Sequence, residues 1–190
     1  MALRKVLTDA DPLLRKRSRE ITEITGRIRI LADDMWETMA EANGIGLAAP
    51  QVGVLRRMVV IEVPVPAEDD ADPEGESETE GDDIPIPEPE TVKYVLINPE
   101  IIEVSEETVI YKEGCLSIPG MIGDVERPKR VKIRAVDLEG NSFELTGEGL
   151  LARALQHEID HLEGILYSDL AESIVPIEAP GEEGEAQEGE

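Results

Sequence analysis

Twenty of the 43 acidic residues in this 190-residue chain fall in two stretches that hold no lysine or arginine. Thirteen lie between Glu62 and Glu90 and seven between Glu172 and Glu190. Segments of that kind repel themselves and have almost nothing apolar to bury, so they cannot build a core. The first is read as a solvated acidic insertion at about 67–90, ending in the extended, proline-rich run Ile84-Pro85-Ile86-Pro87-Glu88-Pro89. The second is read as an acidic tail over 173–190, disordered like the insertion. Residues 1–172 are left as one catalytic-sized domain, long enough for a single well-buried core.

Without the two stretches the net charge of −25 falls to −5, an ordinary surface. No basic stripe remains to release counterions from nucleic acid, so no direct nucleic-acid binding is expected. No apolar run approaches the ~20 residues that cross a bilayer, and no membrane association is expected. Residues 1–9 lack the apolar stretch of a signal peptide. Cys115 is the only cysteine and cannot form an internal disulfide, which places the chain in a reducing cytoplasm.

Hydrophobic periodicity organises the rest. Ile30, Leu31, Met35 and Met39 recur at three-to-four spacing before Gly44, which predicts a helix over 27–43. Short β-rich runs lie at 58–63, 94–97, 108–111, 130–137 and 142–145, the last two joined by the turn Leu138-Glu139-Gly140-Asn141. A second helix is predicted over 148–163, with Gly164 as its stop. The fold class that follows is α+β, a single domain with antiparallel β-sheets packed around a central metal-binding helix.

The chemistry sits on that helix, in His157-Glu158-Ile159-Asp160-His161. At about 100° per residue, His161 returns to within about 40° of His157, so both imidazoles reach one ion. Glu158 stands about 60° from His161, badly placed as a third ligand but close enough to touch a water at the same site, as a general base must. Leu150, Ala154, His157 and His161 share one face, so the ligands point inward with apolar neighbours. A catalytic centre wants a third protein ligand and one open position. Cys115, beside Gly114 in Glu113-Gly114-Cys115-Leu116-Ser117, is the candidate, although a lone cysteine is as often a small buried hydrophobe. Gly44-Ile45-Gly46-Leu47-Ala48-Ala49-Pro50-Gln51 leaves room for another backbone to approach and offers the Gln51 amide as a donor; the bland alternative is a helix cap followed by a packed turn.

The segments GIGLAAPQ, EGCLS and QHEIDHLEG, in this order, resemble the three signature motifs of peptide deformylases. The resemblance runs from Leu7 to Asp169, is interrupted by the acidic insertion and fades after Leu170. It implies that Cys115, His157 and His161 bind one divalent metal ion, Fe(II), with Zn, Ni or Co as possible replacements. It implies that Glu158 takes a proton from the bound water, which attacks the formyl carbon of an N-formylmethionyl nascent peptide. Gln51 and the Leu116 backbone N–H would stabilise the oxyanion, and Glu158 would then protonate the departing amine. Gly46 would hydrogen-bond the substrate backbone, with Ile45, Leu150 and Ala154 lining the methionine pocket. Asp160 is expected in a supporting role near the ligand face. The chain would act in transient proximity to the ribosome, to which its acidic tail contributes nothing. One departure stands out: Ile122 occupies a position where some bacterial members carry an arginine near the mouth of the site, with Arg127 kept further on.

Two other readings compete. His-Glu-x-x-His also marks metallopeptidases, whose third ligand lies downstream; only two histidines exist here, leaving Glu163, Glu172 and Glu178 for that role. A structural metal site, or a deformylase-like binding module without activity, is the other. A structural site closes with a fourth protein ligand, and no second cysteine or third histidine is present.

Overall fold

The computed structural model describes residues 2–65 and 90–177. The acidic insertion, apart from its flanks, and the tail from 178 lie outside the described residues. In chain order the elements are α1 (Gly26–Glu41), β1 (Gly46–Ala48), β2 (Met58–Pro64), β3 (Thr91–Val104), β4 (Thr108–Cys115), β5 (Ile118–Pro128), β6 (Arg130–Val136), β7 (Ser142–Glu148), α2 (Gly149–Glu163) and β8 (Ser173–Pro176). Two antiparallel sheets form, one in the order β1-β2-β3-β6-β7 and one in the order β4-β5-β8.

The larger sheet is covered on both faces. Val59, Ile61 and Val63 of β2 pack with Leu96, Ile133 and the α2 residues Ala152, Leu155, Ile159 and Leu162. Met58 and Val60, alternating with them, face Leu31, Met35 and Met39 of α1. Burial on both sides is why the run 58–63 is almost uniformly apolar rather than alternating. Ile30, expected on the buried face of α1, is 57% exposed, because the neighbouring stripe through Leu31 and Met35 faces the sheet instead. A third cluster of Leu14, Ile118, Val125, Leu166 and Tyr167 ties the small sheet to the N-terminal segment.

α2 ends at Gly164, whose φ of +80° suits glycine. A Cβ there would also lie 2.7 Å from the carbonyl carbon and oxygen of Arg15. The segment crossing that end is anchored by the Ser18 N–H, which donates to the Leu162 carbonyl at 2.8 Å.

Both helices and the 138–141 turn match the sequence expectation to within about two residues. Three strands were not foreseen. β1 lies in the segment expected as an open approach or a packed turn, β5 contains Pro119, Gly120, Gly123 and Pro128, and β8 falls in the range expected as acidic tail, so the ordered fold continues past 172. β3 is also far longer than the predicted 94–97. The insertion joins a hairpin: Pro64 pairs with Thr91, and the Val65 N–H donates to the Glu90 carbonyl at 2.8 Å.

Candidate metal centre and its cleft

α2 presents His157, Glu158 and His161 on its one polar turn, and all three are at most 9% exposed. β4 runs past this turn and delivers Cys115 at its end. One ligand atom from each of Cys115, His157 and His161 falls within 4.8 Å of the others. The Cys115 Sγ lies 3.2 Å from His161 Nε2. A thiol and two imidazoles suit a borderline-soft divalent ion, and three protein ligands leave one position open. The residues therefore fit a catalytic metal.

Glu113, two residues before Cys115 on β4, faces the same way and fixes the first histidine. Its carboxylate accepts from His157 Nδ1 at 2.9 Å, leaving Nε2 for an ion. It also accepts from Arg127 Nε at 2.6 Å and Nη2 at 3.0 Å, and from Arg153 Nη1 at 2.6 Å. Burial alone would raise the Glu113 pKa, but the hydrogen bonds from His157 and Arg127 outweigh it and hold it at about 2. Arg127 Nη1 reaches on to Asp160 at 2.6 Å. Asp160 is thus joined through Arg127 to the same Glu113 carboxylate that holds His157. Tyr167 stacks on His157, with ring centroids 6.1 Å apart.

Glu158 is buried and its Oε2 has no partner among the described residues. Burial pushes its pKa up to about 7. β1 lies directly over this carboxyl, since a Cβ on Gly46 would stand 2.4 Å from Glu158 Oε1. Gly44 is as closely packed: a Cβ there would meet Leu116 Cδ1 at 2.8 Å. The two glycines, expected to make room for another backbone, make room for Glu158 and Leu116 as well. Gln51 sits in the helical turn Ala49–Val52 after β1. Its Oε1 accepts from the Ala48 N–H at 2.8 Å, which turns Nε2 toward Ser117 Oγ at 3.1 Å and Cys115 Sγ at 3.5 Å.

These groups border a cavity of about 630 Å³, whose lining includes Ile45, Gly46, Gln51, Cys115, Leu116, Leu150, Ala154, His157 and Glu158. His161 lies behind it at 1% exposure. Every expected site residue is brought to one place. Leu150, expected to face inward, is 49% exposed at the rim. Ile122 pairs with Gly114 and Val175 inside the small sheet, and Arg127 is buried against Glu113 rather than at the mouth. Sequence reasoning missed Glu113, Arg153 and Tyr167. Glu113 had a signal, because it shares a strand face with Cys115 by the two-residue period.

The peptidase reading loses its nearest downstream ligand. Glu163 pairs with Arg57 and, at 2.9 Å, with Arg17. Fold and site together bring a thiol from a strand upstream of the helix to two histidines on that helix, a group that could hold one metal ion as a metal-dependent hydrolase requires.

The family model for polypeptide deformylase matches residues 3–176. The peptide deformylase of Thermomicrobium roseum is 43% identical over 189 residues, 99% of this chain and 97% of that protein. Among solved structures, the peptide deformylase of Ehrlichia chaffeensis superposes with a TM-score of 0.75 at 40% identity, covering 89% of this chain and 88% of that one. A class I type b peptide deformylase from Acinetobacter baumannii, bound to Met-Ala-Ser, gives a TM-score of 0.74 at 34% identity, over 89% of this chain and 98% of that one. The chain belongs to the polypeptide deformylase family. It is a metal-dependent hydrolase that removes the N-formyl group from the formyl-methionine of nascent polypeptides. Among the described residues no helix is long and apolar enough to cross a membrane.

Proposed function

We propose that deformylation is carried out by Glu158, Gln51 and Leu116, with Cys115, His157 and His161 holding Fe(II); Zn, Ni or Co would be replacements. The observation that carries this reading is the meeting of a buried, unpartnered carboxyl with the Cys-His-His group in one cleft. When bound, the ion supplies Lewis acidity, lowering the pKa of a water and polarising the formyl carbonyl.

Glu158 takes the proton of the attacking water, a task suited to a carboxyl raised to about 7. As the formyl carbon becomes tetrahedral, charge grows on its oxygen. The Gln51 amide, already turned toward the ligand thiol, and the Leu116 backbone N–H donate to that oxygen. Glu158 then hands the proton to the departing nitrogen, so formate and a free amino terminus leave. Gly46 supplies backbone hydrogen bonds to the peptide, while Ile45, Leu150 and Ala154 receive the methionine side chain. The enzyme works in the cytoplasm near the ribosome, where formylated chains emerge, without binding nucleic acid directly.

Protein purified anaerobically with its native metal should release formate from formyl-Met-Ala-Ser and leave Met-Ala-Ser intact. Cleavage of the unformylated tripeptide instead would favour a peptidase. Metal analysis of the same sample tests the ion. Glu158→Ala should keep its metal and lose at least about 10²-fold in rate; wild-type turnover in that variant would sink the mechanism.

A further inference from the structure

The two halves of the Cys-His-His group ride on different layers. His157 and His161 belong to α2, which is seated on the larger sheet through Ala152, Leu155, Ile159 and Leu162. Cys115 ends β4 of the small sheet, whose own apolar cluster of Leu14, Ile118, Val125, Leu166 and Tyr167 contains no residue of α2. Apolar packing thus seats the halves separately, and the reach from thiol to imidazoles is set where α2 meets the small sheet.

Polar contacts carry that joint. Gln156 donates to the Pro128 carbonyl at 3.0 Å, His157 Nδ1 meets Glu113 at 2.9 Å, and Asp160 accepts from Arg127 at 2.6 Å. Arg153 alone makes three. Its Nη1 donates to Glu113 Oε1 at 2.6 Å and to the Val125 carbonyl at 3.0 Å, and its Nη2 donates to the Val109 carbonyl at 2.9 Å. Val109 and Glu113 lie on β4 and Val125 on β5, so one guanidinium grips two strands of the small sheet. It does so one helical turn before His157 and through a carboxylate two residues before Cys115. A planar fork of N–H donors serves these fixed acceptors together; a lysine ammonium would keep the charge but not that geometry.

We propose that Arg153 is a positioning residue for the metal ligands: by clamping the small sheet to α2, it sets the reach of the Cys115 thiol to the ion that His157 and His161 hold. This rests on the ligand assignment above. Charge and geometry predict opposite effects of losing it. Without the Arg153 charge the neighbourhood becomes more negative, and Coulomb attraction alone would bind a divalent cation more tightly. A loosened clamp instead weakens binding, since contacts that orient ligands are worth roughly 10–100-fold in metal affinity.

The test uses Co(II), because a thiolate bound to it gives a near-ultraviolet charge-transfer band that imidazoles do not. Metal-free wild type, Arg153→Met, Arg153→Lys and Tyr111→Leu are titrated with Co(II) against a chelator. Both Arg153 variants should bind about tenfold more weakly, with a smaller thiolate band per bound ion. Tyr111 lies under the guanidinium, its ring centre 5.4 Å from Arg153 Cζ. Tyr111→Leu removes that exposed cation–π contact, keeps the three hydrogen bonds, and should match the wild type within about twofold. Arg153→Lys carries the test if Arg153→Met fails to fold by circular dichroism. Unchanged or tighter binding in either folded Arg153 variant, a full thiolate band in them at saturation, or equal loss in Tyr111→Leu would each overturn the proposal. A wild type that binds Co(II) without a thiolate band would instead overturn the assignment of Cys115 as a ligand.

Discussion

On Glu113 two guanidinium groups and an imidazole converge, and a single carboxylate thereby orients His157, one of the proposed metal ligands. Glu113→Gln should weaken metal retention by about ten- to a hundredfold, read by chelator competition. The same group shapes acid stability. Its folded pKa of about 2 lies below the ordinary 4.5, so its contribution is full above about 4.5 and is lost as pH falls toward about 2, amounting to roughly 3 kcal/mol. Urea midpoints of metal-free wild type and Glu113→Gln should therefore differ near neutrality and converge in acid. A constant difference would mean that ionisation of Glu113 is not what stabilises. Gly46 makes a second residue-scale case. In Gly46→Ala the new methyl must displace the Glu158 carboxyl, so formate release should fall by about 10²-fold with the fold intact by circular dichroism. Near-native turnover would show that the carboxyl has room to shift.

At the scale of elements, α2 carries His157, Glu158 and His161 on one turn and depends on a clean end. Gly164→Ala combines a positive φ with a Cβ 2.7 Å from the Arg15 carbonyl, and should cost roughly 2 kcal/mol or more in thermal or urea unfolding. An unaffected midpoint would mean that the Arg15–Ser18 segment gives way easily. The elements also show what the sequence could reveal. α2 was legible because its apolar period and its glycine stop are local signals. β5 was not, because two prolines and two glycines in one strand look like a loop until β4 and β8 are seen to pair with it. β8 was hidden for a different reason: Ser173 to Pro176 is four residues long, has no buried residue and is soon followed by acid. Among the residues that meet at the cleft, those inside the three motifs stand out in the sequence. Arg153 does not, since its partner Glu113 is 40 positions away and only the packing of β4 on α2 brings them together.

For the whole molecule, the acidic insertion hangs on a closed hairpin. Val65 and Glu90 are already hydrogen-bonded to each other, and loop-closure entropy changes slowly with length. Replacing residues 66–89 by a short glycine-containing turn should leave formate release and the unfolding midpoint nearly unchanged. A large loss of either would assign the insertion a structural or catalytic role. Truncation of the tail should begin after Ile177, because an earlier cut removes β8 and the bond from the Ile177 N–H to the Gly120 carbonyl.

The proposed centre would draw its ligands from β4 and α2, 42 residues apart from Cys115 to His157. At roughly 5–20 residues per second of synthesis, the thiol is made about 2–8 s before the first imidazole exists. Through that interval the chain owns a lone thiol with no second cysteine to trap it and no histidine partner to share it. Metal capture is therefore a late event in the life of the polypeptide, and the earliest molecules of this enzyme to emerge are ones that cannot yet act.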